Sequence, residues 1–189
     1  MLTTERVKKA IRALSSHKTP GEDGFPTDWY CAFANQLAPI LAADFLKYAE
    51  EREIPEHMKK AVITPLYKKG ISTLWENYRP VAVTPAEMRI MDKTIQLALN
   101  EELHYIIGGN QVGFQRHKYI GEATALAQLI IARCKRRGYQ IPGLMLLVDG
   151  EKVYDRVQPG WLDACLHKMS FPEEFRTLIK TIQTETRPQ

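Results

Sequence analysis

The sequence is poor in cysteine: Cys31, Cys134 and Cys165 are the only three in 189 residues, and they lie far apart. An odd, scattered set builds neither a disulfide framework nor a zinc cluster, so a reducing, intracellular setting is expected, nuclear or cytoplasmic. His17, His57, His104, His117 and His167 add no mutual ligand spacing. Long apolar runs are missing too. Nothing approaches the ~20 residues of a membrane span, and Met1 to Arg6 holds no apolar core of a secretory signal. A protein that is neither membrane-bound nor secreted is expected. Internal repeats, low-complexity linkers, a G-x-S-x-G nucleophile turn and a G-x-x-x-x-G-K-[ST] phosphate loop are all lacking. What remains is ordinary for a globular chain, 44% hydrophobic and 25% charged, which excludes disordered, collagenous and coiled-coil classes.

The net charge is +4, and its distribution says more than its size. Between His57 and Lys69 stand Lys59, Lys60, Lys68 and Lys69 with no acid. Between Phe114 and Arg137 six Lys or Arg face one acid, Glu122, and Arg133, Lys135, Arg136 and Arg137 crowd one helix end. Cations at a helix C-terminus are favoured by the dipole alone. Two such stretches in a small chain also suit nucleic acid or nucleotide phosphates.

Periodicity predicts helices around Val7, Ala10, Ile11 and Leu14, capped by Thr3 or Thr4, and around Trp29, Tyr30, Phe33 and Leu37. Pro39 is expected to start the next helix, with Ile40, Leu41, Phe45 and Tyr48 inward. Ala61 to Tyr67 reads as a strand, near an edge because of Pro65, with Val81 to Val83 as its short partner. Ala86 to Ile107 is expected to be helical, as is the stretch carrying Ala123, Leu126, Ala127, Ile130, Ile131 and Cys134. Leu144 to Val148 is a continuous apolar run, the pattern of a strand buried on both faces, and two amphipathic helices follow it. A lone buried strand leaves its N–H and C=O groups without neighbours, so the sheet is expected to be incomplete.

Asp149 directly follows that run, and Glu151 and Asp155 lie close behind. Such acids can hold a hard divalent cation, or Asp149 can simply cap the turn that follows. Arg79, between Tyr78 and Pro80, is held on a stiff segment where a guanidinium can grip phosphate or pair with Glu76. Lys68-Lys69-Gly70 suits either a solvated turn or a cationic β-ribbon tip.

Several segments together resemble the reverse transcriptases of non-LTR (LINE-type) retrotransposons. Lys18-Thr19-Pro20-Gly21-Glu22-Asp23-Gly24-Phe25-Pro26 looks like that family's K-x-P-G-x-D-G-x-P segment. Ile54 to Lys59 and Ala61 to Gly70 resemble its next stretch. Asn77-Tyr78-Arg79-Pro80-Val81-Ala82-Val83 is similar to N-Y-R-P-I-S-L, and Gln111-Val112-Gly113-Phe114 to Q-x-G-F. Leu147-Val148-Asp149-Gly150-Glu151-Lys152-Val153-Tyr154-Asp155-Arg156-Val157 looks like L-x-D-x-E-K-A-[FY]-D-R-V, the first carboxylate motif of the palm. All occur in the family's order.

The resemblance implies an α+β right-hand polymerase fold, fingers plus a truncated palm, helix-rich with a small incomplete antiparallel sheet. Residues 1–60 would be an N-terminal helical extension, 61–140 the fingers, and 141–189 a partial palm. It implies Asp149 as the catalytic carboxylate and Mg²⁺ ligand, with the Gly150 carbonyl as a further ligand. Arg79 with Lys68 or Lys69 would hold the incoming dNTP, and Tyr154 would be the steric gate against a ribose 2′-OH. Asp155 and Glu151 would be structural. RNA template and DNA primer would be the partners, with Arg133, Lys135, Arg136 and Arg137 as nucleic-acid contacts. Two departures stand out: Arg116-His117-Lys118-Tyr119 replaces a usual G-R-S, and Val153 a usual Ala. The family's second carboxylate motif is an adjacent Asp pair, and no Asp-Asp occurs in the 189 residues. The chain by itself is therefore expected to be inactive in RNA-templated DNA synthesis. A non-catalytic RNA- or DNA-binding remnant of a retroelement is the alternative.

Overall fold

The computed structural model describes residues 1–113, 118–136, 146–150 and 153–185, with the backbone alone for His104, Arg136, Tyr154, Asp155 and Glu185. They form two compact units. One comprises Met1–Ala98 and the segment from Pro159 onward, and the other Leu99–Gln158.

In the first unit, α1 (Thr4–Arg12) is capped by the Thr3 hydroxyl, which accepts from the Arg6 N–H. Its Val7, Ala10 and Ile11 are buried against α3. A short helix, α2 (Thr27–Ala32), runs almost directly into α3 (Ala34–Glu51). Pro39 lies inside α3 rather than at its start. Only one backbone donor is lost, near the N-terminal end, while Ala34, Ala38, Leu41, Ala42 and Phe45 bury a continuous stripe. Ile40 falls off that stripe and is exposed, against the expectation that it points inward. Arg52 in the left-handed region ends the helix. After α4 (Glu56–Lys59) comes a hairpin of β1 (Val62–Tyr67) and β2 (Tyr78–Val83). The N-terminal half of α5 (Ala86–Ile106) buries Ala86, Met88, Ile90, Met91 and Ile95.

Gly21 passes so close to α5 that a Cβ there would sit 2.7 Å from Pro85 Cα and 2.8 Å from Pro85 N. The Lys18 to Pro26 loop is thereby seated on the start of that helix. Further on, α8 (Pro159–Lys168) and α9 (Glu173–Glu185) form an αα-hairpin. Arg176 donates to both oxygens of Asp163, at 2.8 and 2.9 Å, and holds that carboxyl below its ordinary pKa. Phe175, Leu178 and Thr181 of α9 are buried, and α9 touches α3.

One partly buried carboxyl has a pH consequence. Burial pushes the Glu87 carboxyl up, with Asp44 and Asp23 adding to the rise and the 3.1 Å contact to His57 opposing it. The Tyr30 and Tyr48 phenols nearby are pushed up to about 12, by burial first and then by Glu87. A carboxyl raised in the folded state binds its proton more tightly there than in the unfolded chain. Its contribution to stability therefore declines as pH rises from the ordinary value of 4.5 through the folded one. Glu87→Gln removes that slope, so the variant gains on the natural chain between pH 4 and pH 7. Urea midpoints at both values check this; an equal gap at each pH would contradict it.

In the second unit, α6 (Gly121–Arg136) carries the expected apolar stripe, yet Leu126, Leu129, Ile130 and Ile131 are all exposed. Leu146, Leu147 and Val148 are exposed as well and irregular, not the buried strand expected; Leu144 and Met145 lie outside the described residues. A strand requires partners for its N–H and C=O groups, and among the described residues β1 and β2 pair only with each other. A four-residue helix, α7 (Val153–Arg156), follows. Among the described residues no helix is long and apolar enough to cross a membrane.

Candidate functional site

The hairpin collects several of the expected residues. Its ladder pairs Leu66 with Arg79, Pro65 with Pro80 and Tyr67 with Tyr78. Lys68 N–H donates to Asn77 O at 2.8 Å, so Lys68–Asn77 extends the ladder as a hydrogen-bonded pair. Alternation then makes Leu66–Arg79 hydrogen-bonded and Pro65–Pro80 not. The two prolines thus stand where an N–H would have pointed outward. They tolerate the ladder and blunt both open edges against a further strand. Cross-strand partners share a face. Lys68, Leu66 and Arg79 therefore lie on one face of the ribbon, and Tyr67, Tyr78 and the prolines on the other.

Side chains organise the tip. Tyr67 O–H donates to Gly70 O at 2.6 Å, Asn77 Nδ2 to Ile71 O at 2.8 Å, and Tyr78 O–H to Ser72 O at 2.8 Å. Gly70 has φ +95°, and its missing Cβ is the space the Asn77 amide occupies at 2.8 Å. This connection is a built loop that fixes where its cations stand.

Electrostatics sorts those cations. Lys59 pairs with Glu56 at 2.8 Å, and Lys60 approaches Glu22 at 4.0 Å. Lys68, Lys69 and Arg79 are exposed and have no ion pair among the described residues, so the Arg79–Glu76 pairing that the spacing allowed does not form. The sequence shows four lysines in an acid-free stretch; among the described residues two of them, Lys68 and Lys69, have no ion pair.

Asp149 and Gly150 lie in the irregular segment before α7, with Asp149 exposed. A Cβ at Gly150 would run into the Cγ2 methyl of Val153, so the glycine and the unusual valine fit each other. Tyr154 lies in α7, but its side chain is outside the described set, as are Glu151 and Lys152. Arg133 and Lys135 are exposed near the C-terminal end of α6, Arg136 is its last residue, and Arg137 is outside the described residues. Among the described residues no three His, Cys, Asp or Glu side chains converge. The sequence motifs give Tyr67 and Trp75 no site role, and Tyr78 enters them only beside Arg79. The available signal was two tyrosines flanking an eleven-position register step across the turn, Tyr67 to Tyr78.

No protein-family profile matches the chain. It is similar to the transposon TX1 uncharacterized 149 kDa protein of Xenopus laevis, 28% identical over 181 residues. The alignment takes in 96% of this chain and spans 14% of the length of that transposon protein.

Proposed function

We propose that the chain is of retroelement origin and carries the fingers and first palm segment of a reverse transcriptase, within a right-hand polymerase fold. The parent reaction is RNA-templated DNA synthesis, in which a primer 3′-hydroxyl attacks the α-phosphorus of a dNTP and pyrophosphate leaves. The reading rests most on one observation: Lys68 and Arg79 share one face at the tip of a side-chain-stapled hairpin, unpaired among the described residues. The similarity to a transposon protein and the ordered motifs support it.

In this reading Arg79 grips triphosphate oxygens through two parallel N–H donors, and Lys68, with Lys69 beside it, adds point charge. Residues 1–60 form a helical extension, 61–140 the fingers and 141–189 the partial palm. Tyr154 excludes a ribose 2′-OH. The Asp149 carboxylate and the Gly150 carbonyl are hard oxygen donors on an exposed segment, the donor type Mg²⁺ takes alongside water and substrate phosphate. Bound there, the ion would supply activation of the primer hydroxyl and neutralisation of the leaving pyrophosphate. Arg133, Lys135, Arg136 and Arg137 contact the RNA template or DNA primer.

Calorimetric titration of the chain with dNTP and Mg²⁺ tests the assignment. Loss of charge-assisted hydrogen bonds worth ~1.5–3 kcal/mol predicts binding weaker by about 10- to 100-fold in Arg79→Ala. Equal affinity in the variant would refute it. With no adjacent aspartate pair, the chain alone is expected not to extend a primer; incorporation that Asp149→Ala abolishes would overturn that expectation.

A further inference from the structure

The opposite face of the same hairpin has a chemistry that the nucleotide reading does not use. Tyr67 and Tyr78 are a cross-strand pair with ring centroids 5.6 Å apart, and Trp75 packs on Tyr78 at 5.9 Å. Three aromatic rings thus run in sequence along the tip. They are not core residues: Trp75 is 79% exposed and Tyr67 48%. Both tyrosine hydroxyls are tied down to loop carbonyls, Gly70 O and Ser72 O, which fixes the rings and leaves part of their flat surfaces to solvent. The nearest charges in the chain are Lys68, Lys69 and Arg79 against one acid, Glu76.

Fixed rings on one face of a ribbon whose other face carries Lys68 and Arg79 match one kind of partner above others. An apolar peptide would gain nothing from the cations. A duplex hides its base faces. Unpaired nucleobases offer π-faces to the rings, and their backbone offers phosphates to the lysines. Because the loop is already ordered, little side-chain entropy remains to be lost on binding.

We propose that Trp75, Tyr78 and Tyr67 form a stacking platform for the unpaired bases of single-stranded RNA or DNA. The platform goes beyond the nucleotide site: it lies on the other face of the ribbon and requires neither Asp149 nor a metal.

The test is fluorescence anisotropy of labelled 12-nucleotide single strands, one RNA and one DNA, with a blunt duplex of the same length, against the full 189-residue chain at low salt. The expected result is tighter binding of single strands than of duplex. Trp75→Ala should weaken single-strand binding by about tenfold, in keeping with base–aromatic stacking, and Trp75→Tyr should restore most of it. The Trp75 side chain is exposed and makes no hydrogen bond among the described residues, so the melting temperature should stay put and rule out unfolding as the cause. The RNA and DNA arms show which sugar the platform prefers. Undiminished binding in Trp75→Ala would overturn the proposal, as would duplex binding equal to single-strand binding. Charge reversal at Arg133 and Lys135 that alone removes binding would also overturn it. Asp149→Ala should leave it unchanged, so failure here is separable from failure of the nucleotide site, which Arg79→Ala and dNTP titration report.

Discussion

Phe45→Ala is expected to lower the unfolding free energy by about 3–5 kcal/mol, since Phe45 is the largest fully buried side chain among the described residues. Phe45 is fully buried on the inward stripe of α3, between Leu41 and Ala42 on one side and the Tyr48 ring, 6.4 Å away, on the other. The facing helix, α1, contributes Val7, Ala10 and Ile11, small or branched residues that cannot swing into the space a phenyl ring vacates. The cost is therefore the lost transfer free energy plus that of a cavity which does not collapse. Against a total stability of about 5–15 kcal/mol this is a large fraction. Ile40→Ala is the matched control: it sits five residues earlier on the same helix but is 58% exposed, and should shift stability by no more than about 0.5 kcal/mol. Urea unfolding followed by far-ultraviolet circular dichroism measures both. Equal losses would mean that α3 is not packed as described.

Gly21→Ala should cost about 1–3 kcal/mol or more. The obstacle is backbone: the new methyl would stand 2.7 Å from Pro85 Cα and 2.8 Å from Pro85 N, and neither atom can rotate away. Relief requires the Lys18 to Pro26 loop to lift from the start of α5. Gly24→Ala, three residues on, separates this from ordinary glycine loss. Nothing lies within 4 Å of a Cβ there, but its φ is +72°, so the cost is about 1–2 kcal/mol of left-handed strain. The two variants should also differ in kind. Gly21→Ala should raise hydrogen exchange at the N–H groups of Arg89 and its neighbours in the first turns of α5, and Gly24→Ala should not. Similar exchange in both would count against the loop acting as a seat. The contact gives a physical reason for glycine at this position of the P-G-E-D-G segment.

The amino-acid sequence by itself determined the local elements. A threonine cap at Thr3 or Thr4, the Val7–Ala10–Ile11 stripe, the two hairpin strands and the long helix from Ala86 follow from side-chain period and turn chemistry, which act over a few residues. It also carried the motifs that resemble a retroelement polymerase, since these are strings of adjacent residues. The tertiary structure alone decided the rest. Pro39 is inside α3 because burial along the whole stripe outweighs one missing donor. Lys59 and Lys60 lie near Glu56 and Glu22, while Lys68 and Lys69 have no ion pair among the described residues. Arg79 and Tyr78 are neighbours in the chain yet face opposite sides of the ribbon, because the strand period is two. Leu146 to Val148 has the composition of a central strand and is exposed and irregular, because strand formation is settled by partners elsewhere in a sheet and not by the segment's own residues. Burial, pairing and register depend on groups far apart in the chain, and no local pattern encodes which of them meet.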